Sequence, residues 1–220
     1  MLRASATARD VCIPHGMRPL FAIIKIVRRY WLPIIAALIV ISPLKIAMAQ
    51  DGTLMIDDRG SGNTLATSGG EWRLITDGVM GGVSDGQLSI DMVENEGCLR
   101  LKGDVKLDNS GGFVQAALDL SEDTLQDIQN YTGLMLAVYG NDEHYNVHLR
   151  TRDNRLPWQS YRTTFTAAPK WKIFHFPFAE FSPYRTDKAL VVSRLKRIGV
   201  VAIGREFRVD ICIGKLGLYK

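Results

Sequence analysis

Residues Gly82-Val83-Ser84-Asp85-Gly86 spell G-x-S-x-G, the pattern of a nucleophile elbow in which a strained turn exposes a serine hydroxyl. An elbow needs a buried strand before the serine and a helix after it. Here glycines precede Ser84 and the alternating run Gln87-Leu88-Ser89-Ile90 follows it, so the context rejects a serine hydrolase. A second constellation is His144, Asn146, His148 and Arg150. At a spacing of two these residues share one face of a strand, with Tyr145, Val147, Leu149 and Thr151 on the other. Such a row suits a ligand- or partner-binding face, and equally a solvated sheet face. Two histidines without a carboxylate at ligand spacing argue against a metal, and as general bases they lack a nucleophile or acid at any diagnostic spacing. No Cys-x-x-Cys is present, and no metal or cofactor is expected.

Two glycine-rich turns stand out. In Trp72-Arg73-Leu74-Ile75-Thr76-Asp77-Gly78-Val79-Met80-Gly81-Gly82-Val83-Ser84 a strand-like aromatic lead-in meets three glycines, which permit a sharp reversal or a close approach by another group. Asp77 can brace such a turn through its carboxylate. The stretch reads as a structural hairpin turn or as a binding loop. A phosphate cradle would need basic charge and a following helix, both missing here. Asp77 and Met80 are expected to be exposed and available to a partner, with Ser84 shaping the loop. In Lys106-Leu107-Asp108-Asn109-Ser110-Gly111-Gly112-Phe113, Asn109 and the paired glycines suit a tight reversal feeding a strand that starts at Phe113. Most of the aromatic residues are expected in the interior. Trp158 is the exception, because Pro157 and Arg152-Asp153-Asn154-Arg155 place it at a loop end.

The elements that must carry these residues are strands. Period-two alternation bounded by turn residues marks Gln87–Val93, Cys98–Asp104, Gly112–Leu120, Leu134–Tyr139, His144–Arg152, Gln159–Thr166, Trp171–Pro177, Ile198–Ile203 and Phe207–Leu218. Helical pattern is confined to Ser121–Asn130, capped by Ser121, and Asp187–Leu195. Neither is long enough to cover a parallel sheet, so the prediction is an all-β fold, an antiparallel jelly-roll β-sandwich.

The chain of 220 residues, 46% hydrophobic, is long enough for one cored domain and an extension. Its formal charge of +4 is misleading, because the first 50 residues hold seven of the 27 basic residues and one acid, which leaves 20 basic against 22 acidic and a net of −2. That removes the basic footprint nucleic-acid binding needs. Arg28-Arg29, the apolar run Tyr30–Ile41 and Ala47-Met48-Ala49 follow the order of a secretory signal peptide. Residues 1–49 are therefore read as a signal or membrane anchor, 50–70 as a flexible Gly/Ser/Thr/Asp-rich arm and 71–220 as the folded domain. Export to the periplasm or anchoring in the inner membrane is expected, a mitochondrial presequence being the competing reading. Cys98 and Cys212 alternate with apolar neighbours and can lie on the same side of a sheet, so in an oxidising compartment they are a possible disulfide or two half-buried thiols.

Taken in order, Trp72–Ser84, Cys98–Val105, Asp108–Phe113, His144–Thr151, Trp158–Phe165 and Trp171–Pro183 resemble the domain of the complex I intermediate-associated protein 30 family, as a bacterial member. The resemblance implies a galactose-binding-like jelly roll. It also implies a non-enzymatic assembly module for NADH:ubiquinone oxidoreductase, with respiratory-complex subunits or intermediates as protein partners. The alternative is an exported carbohydrate-binding module that takes a glycan on Trp158.

Overall fold

The computed structural model describes residues 52–126 and 128–220; the expected leader, residues 1–49, lies outside them. All nine predicted strands form, with ends moved by a few residues. In chain order the strands are β1 (Leu54–Asp57), β2 (Trp72–Thr76), β3 (Asp85–Val93), β4 (Glu96–Val105), β5 (Phe113–Asp119) and β6 (Gly133–Tyr139). They continue as β7 (Glu143–Thr151), β8 (Ser160–Ala167), β9 (Lys172–Pro177), β10 (Ser182–Tyr184), β11 (Leu195–Ile203) and β12 (Phe207–Tyr219).

Two antiparallel sheets pack face to face as a galactose-binding-like jelly-roll β-sandwich. One has the order β3-β4-β12-β6-β9, with β1 also paired to β12; the other has the order β10-β8-β7-β11-β5-β2. The alternation that predicts the strands also sorts their faces. Leu99, Leu101, Leu134, Leu136, Ile211 and Ile213 come from the first sheet and meet Val114, Ala116, Val147, Leu149, Ile198 and Val200 from the second, all essentially buried. Phe165, Phe174 and Phe176 close one part of this core, with ring centroids 5.1–5.8 Å apart.

Three expectations change. The expected arm of residues 50–70 is, from residue 52 on, part of the fold: Leu54–Asp57 adds to β12, pairing Leu54 with Leu218. A buried polar knot holds it there, because the Asp57 carboxylate accepts from the Arg59 guanidinium at 2.7 Å and from the Trp72 indole N–H at 2.7 Å. The run of Gly, Ser, Thr and Asp hides this, since a single buried acid partnered by a distant indole leaves no periodic mark. The helix predicted at Ser121–Asn130 shortens to α1 (Glu122–Gln126) and a 3-10 turn at Ile128–Asn130; the Ser121 hydroxyl does accept from the Thr124 N–H, at 3.3 Å. Asp187–Leu195 makes only a 3-10 turn at Val192–Arg194. Leu195 is drawn into β11 opposite Thr151 and is fully buried, so tertiary pairing overrides weak helical pattern.

Cys98 and Cys212 form a disulfide between adjacent strands β4 and β12, with a Cα separation of 5.4 Å and a sequence separation of 114. Both are buried on the sheet face opposite Leu99 and Ile213, as their alternation predicts.

Candidate functional site

The two glycine-rich turns are locked to one another by a single carboxylate. After β2 the chain makes a 3-10 turn at Asp77–Met80, started by the Thr76 hydroxyl accepting from the Gly78 N–H and ended by Gly81 at φ 88°. This geometry turns Asp77 inward, where it is fully buried and accepts four hydrogen bonds. The donors are the Ser84 N–H (3.0 Å), the Ser84 hydroxyl (2.5 Å), the Gly112 N–H (2.5 Å) and the Phe113 N–H (3.3 Å). Burial pushes the Asp77 pKa up, but the hydrogen bonds from Ser84, Gly112 and Phe113 outweigh it and hold the acid below the usual carboxylate range. Close approach explains two of the glycines. A Cβ at Gly82 would stand 2.3 Å from the Asp77 Cγ, and one at Gly111 would stand 2.4 Å from its Oδ2.

The expectation that Asp77 is exposed for partner contact is therefore wrong. Ser84 is buried too, its hydroxyl given to Asp77 and accepting from the Lys106 N–H at 3.0 Å. Both residues are braces, because a carboxylate can satisfy several backbone donors at once where two loops meet. Asn109 sits at the exposed apex of the second turn at φ 56°.

What the brace positions is a recess of about 440 Å³ on the outward face of the β10-β8-β7-β11-β5-β2 sheet, in the size range of a ligand site. Strand register assembles its floor: His148 pairs with Arg162 on β8 and with Gly199 on β11, and Arg150 pairs with Arg197. Gly199 leaves room for the Gln115 side chain, whose amide nitrogen would lie 2.2 Å from a Cβ there. Val79, Met80 and Phe113 from the braced turns form one wall, and Pro157, Trp158, Tyr184 and Arg185 form the opposite one.

The predicted residues divide accordingly. Met80, Phe113, His148, Arg150 and Trp158 line the recess, and Trp158 is exposed as expected. His144 and Asn146 do share the face of His148 and Arg150 but lie further along β7, outside the recess, bonded to Thr166 and Thr164 respectively. The sequence reading missed Gln115, Arg162, Tyr184, Arg185 and Arg197. Arg162 and Arg197 are polar positions of alternating strands, and only the strand order reveals that they neighbour His148 and Arg150.

The electrostatics of the floor are unusual. His148 is 92% buried by its 8% exposure, and its Nε2 has no hydrogen-bond partner among the described residues; the same holds for the Arg150 Nε. Burial, reinforced by the neighbouring Arg162 charge, pushes the His148 pKa down to about 3, so the ring is neutral. Burial also depresses Arg150 and Arg162. Arg150 donates to the Leu156 carbonyl at 3.0 Å through Nη2. Arg162 donates to the Ser160 hydroxyl at 2.9 Å, and its guanidinium lies 3.5 Å from the Tyr184 ring centroid. Arg197 is held bidentately by Asp119 at 2.5 and 3.0 Å. Among the described residues no group of three or more His, Cys, Asp or Glu stands close enough to hold a metal ion. The arrangement offers hydrogen-bond donors and cationic and aromatic surfaces, the equipment for holding a ligand.

The architecture is shared with solved carbohydrate-binding modules. A family 11 module from Clostridium thermocellum, solved with a β-1,3-1,4-mixed-linked tetrasaccharide, is similar at a TM-score of 0.60 and 11% identity, over 76% of this chain and 95% of that one. A family 30 module is similar at a TM-score of 0.52 and 13% identity, over 76% of this chain and 88% of that one. At such identities the likeness is one of fold. No curated protein matches the chain significantly in sequence. The sequence model of the complex I intermediate-associated protein 30 family matches residues 63–211, which include the two braced turns and every strand of the recess-bearing sheet, and the chain belongs to that family.

Proposed function

We propose that the domain is a non-enzymatic binding module that captures a partner protein at the recess and serves in the assembly of NADH:ubiquinone oxidoreductase, the process its family is named for. One observation carries the protein-binding part. Val79, Met80, Trp158 and Tyr184, all substantially exposed, ring a recess of which one wall is fixed by the buried Asp77 brace. Exposed apolar and aromatic anchors around a preformed depression are the usual anatomy of an interaction hot spot. Deleting the gene, then restoring it as wild type or as Met80→Arg, tests the proposal through the level of assembled complex on native gels and NADH oxidation by membranes. Loss on deletion, unrestored by the variant, is expected. Unchanged complex after deletion refutes the assembly role. The side of the membrane on which the domain works follows from its leader, and N-terminal sequencing of the fractionated protein decides between a cleaved, exported form and an anchored one.

A second reading, a glycan-binding module, is favoured by one feature: the Trp158 and Tyr184 rings stand beside the polar groups of Gln115, His148 and Arg162. Binding on a glycan array that Trp158→Ala abolishes supports it, and silence across the array removes it.

A further inference from the structure

The recess gathers three arginines that no carboxylate of the described residues pairs, Arg150, Arg162 and Arg185. Elsewhere in the described domain Arg59, Arg100, Arg152, Arg194 and Arg205 each pair with a carboxylate, while Arg155 and Arg208 stand singly. Arg150, Arg162 and Arg185, which line one recess, pair with none among the described residues, and Asp119, the acid whose charge bears on Arg150, is already engaged by Arg197 and Arg73. The region beyond residue 50 has a net charge of −2, so this is a local concentration of positive charge and no general basicity. Two of these guanidinium groups, Arg150 and Arg162, are partly desolvated, which penalises a cation that no carboxylate pairs. At the floor, the buried His148 Nε2 and Arg150 Nε also lack partners, in a fold where buried polar atoms are nearly always satisfied.

We propose that the recess recognises a carboxylate, presented by an acidic side chain of a partner protein and flanked by apolar residues. The proposal rests on the reading of the domain as a protein-binding module. Guanidinium forks match carboxylates bidentately, and the neutral His148 ring supplies a further hydrogen bond without competing charge. The flanking chemistry follows from the rim. Val79 and Met80 are 73% and 52% exposed, and flexible aliphatic surface of this kind suits leucine-like or phenylalanine-like side chains better than the hydroxyl-studded faces of a sugar.

The test uses the full chain in detergent, labelled with ¹⁵N-arginine, and a set of acetylated tripeptide amides with Glu or Gln at the centre and Leu, Phe or Val on each side. Trigalacturonate serves as the carbohydrate carboxylate. The Glu peptides are expected to shift the Nε–H signals of Arg150 and Arg162 and to bind about tenfold more tightly than their Gln counterparts, the effect of one charge-assisted hydrogen bond. That advantage falls as salt rises from about 0.05 to about 0.5 M. Arg185→Gln, which alters an exposed side chain on the rim, and Arg162→Gln each reduce it while circular dichroism stays unchanged. Equal binding of Glu and Gln peptides, no shift with any peptide, or a preference for trigalacturonate overturns the proposal. Its failure is distinguishable from failure of the protein-binding reading. Peptides that do not discriminate, alongside a Met80→Arg strain that loses assembled complex, leave protein capture standing and remove the carboxylate. Discriminating peptides, alongside unchanged complex after gene deletion, retain the carboxylate and remove the assembly role.

Discussion

Replacing Asp77 by Asn changes one oxygen to an amide nitrogen at the point where the two glycine-rich turns meet, and its cost can be worked from the structure. Oδ1 accepts one hydrogen bond, from the Ser84 N–H, while Oδ2 accepts three, from the Ser84 hydroxyl and the N–H groups of Gly112 and Phe113. The better orientation of Asn puts its NH₂ at the Oδ1 site, so that two donors face each other across a buried contact. One bond to a charged acceptor is lost, the Ser84 N–H is left unsatisfied, and the three remaining bonds become neutral. At about 1.5–3 kcal/mol for a charge-assisted bond or a buried unsatisfied donor, the loss is about 3 kcal/mol. For a domain of this size that lowers Tm by about 6–12 °C. Urea unfolding followed by tryptophan fluorescence at pH 7 measures it. The double-mutant cycle with Ser84→Ala should show strong coupling, since the two residues share bonds. The pH dependence has a definite sign. The folded pKa of Asp77 is lowered, so its contribution is complete above the unfolded value near 3.9 and fades as pH falls below it; the deficit of the Asn variant should shrink in acid. An Asp77→Asn protein within about 0.5 kcal/mol of wild type, the range of an ordinary surface substitution, refutes the brace.

Other perturbations read other parts of the fold. The pKa of His148 is lowered on folding, so its stabilising contribution is complete above about pH 6.5 and is lost as pH falls toward about 3; between pH 7 and 5 the wild type should lose about 2 kcal/mol that His148→Gln does not, and identical slopes would contradict the buried neutral ring. Asp57→Ala leaves the Arg59 cation and the Trp72 indole buried without their acceptor, at a cost of about 3–5 kcal/mol; rapid hydrogen exchange in residues 54–57 is expected, and retained protection there would sink the role given to this knot. Opening the Cys98–Cys212 bridge, which closes a long loop, should cost about 2–5 kcal/mol on reduction or in Cys98→Ser; thiol labelling of both Cys98 and Cys212 in the untreated, unfolded protein would show that the bridge does not form.

Strand identity was legible because period-two alternation is a local property. Tyr145, Val147 and Leu149 face inward and His148 and Arg150 outward whatever the rest of the chain does, and the turns at Asp77–Gly82 and Asn109–Gly112 are marked by residues whose backbone needs are equally local. The same alternation placed the two cysteines on one face. Tertiary structure decided what depends on residues far apart in the chain. It buried Asp77, which looked like an exposed loop acid, because its hydrogen-bond donors lie up to 36 residues away. It drew Leu54–Asp57 into the sheet through an indole 15 residues on. It built the recess by ordering strands as β10-β8-β7-β11-β5-β2, so that Arg162, Arg185 and Arg197, unremarkable in sequence, converge on His148 and Arg150. Alternation tells each side chain which face to take but carries no information about which strand will lie beside it. That choice is made by the packing of the whole core, and here it also decides where the recess-lining charge is concentrated.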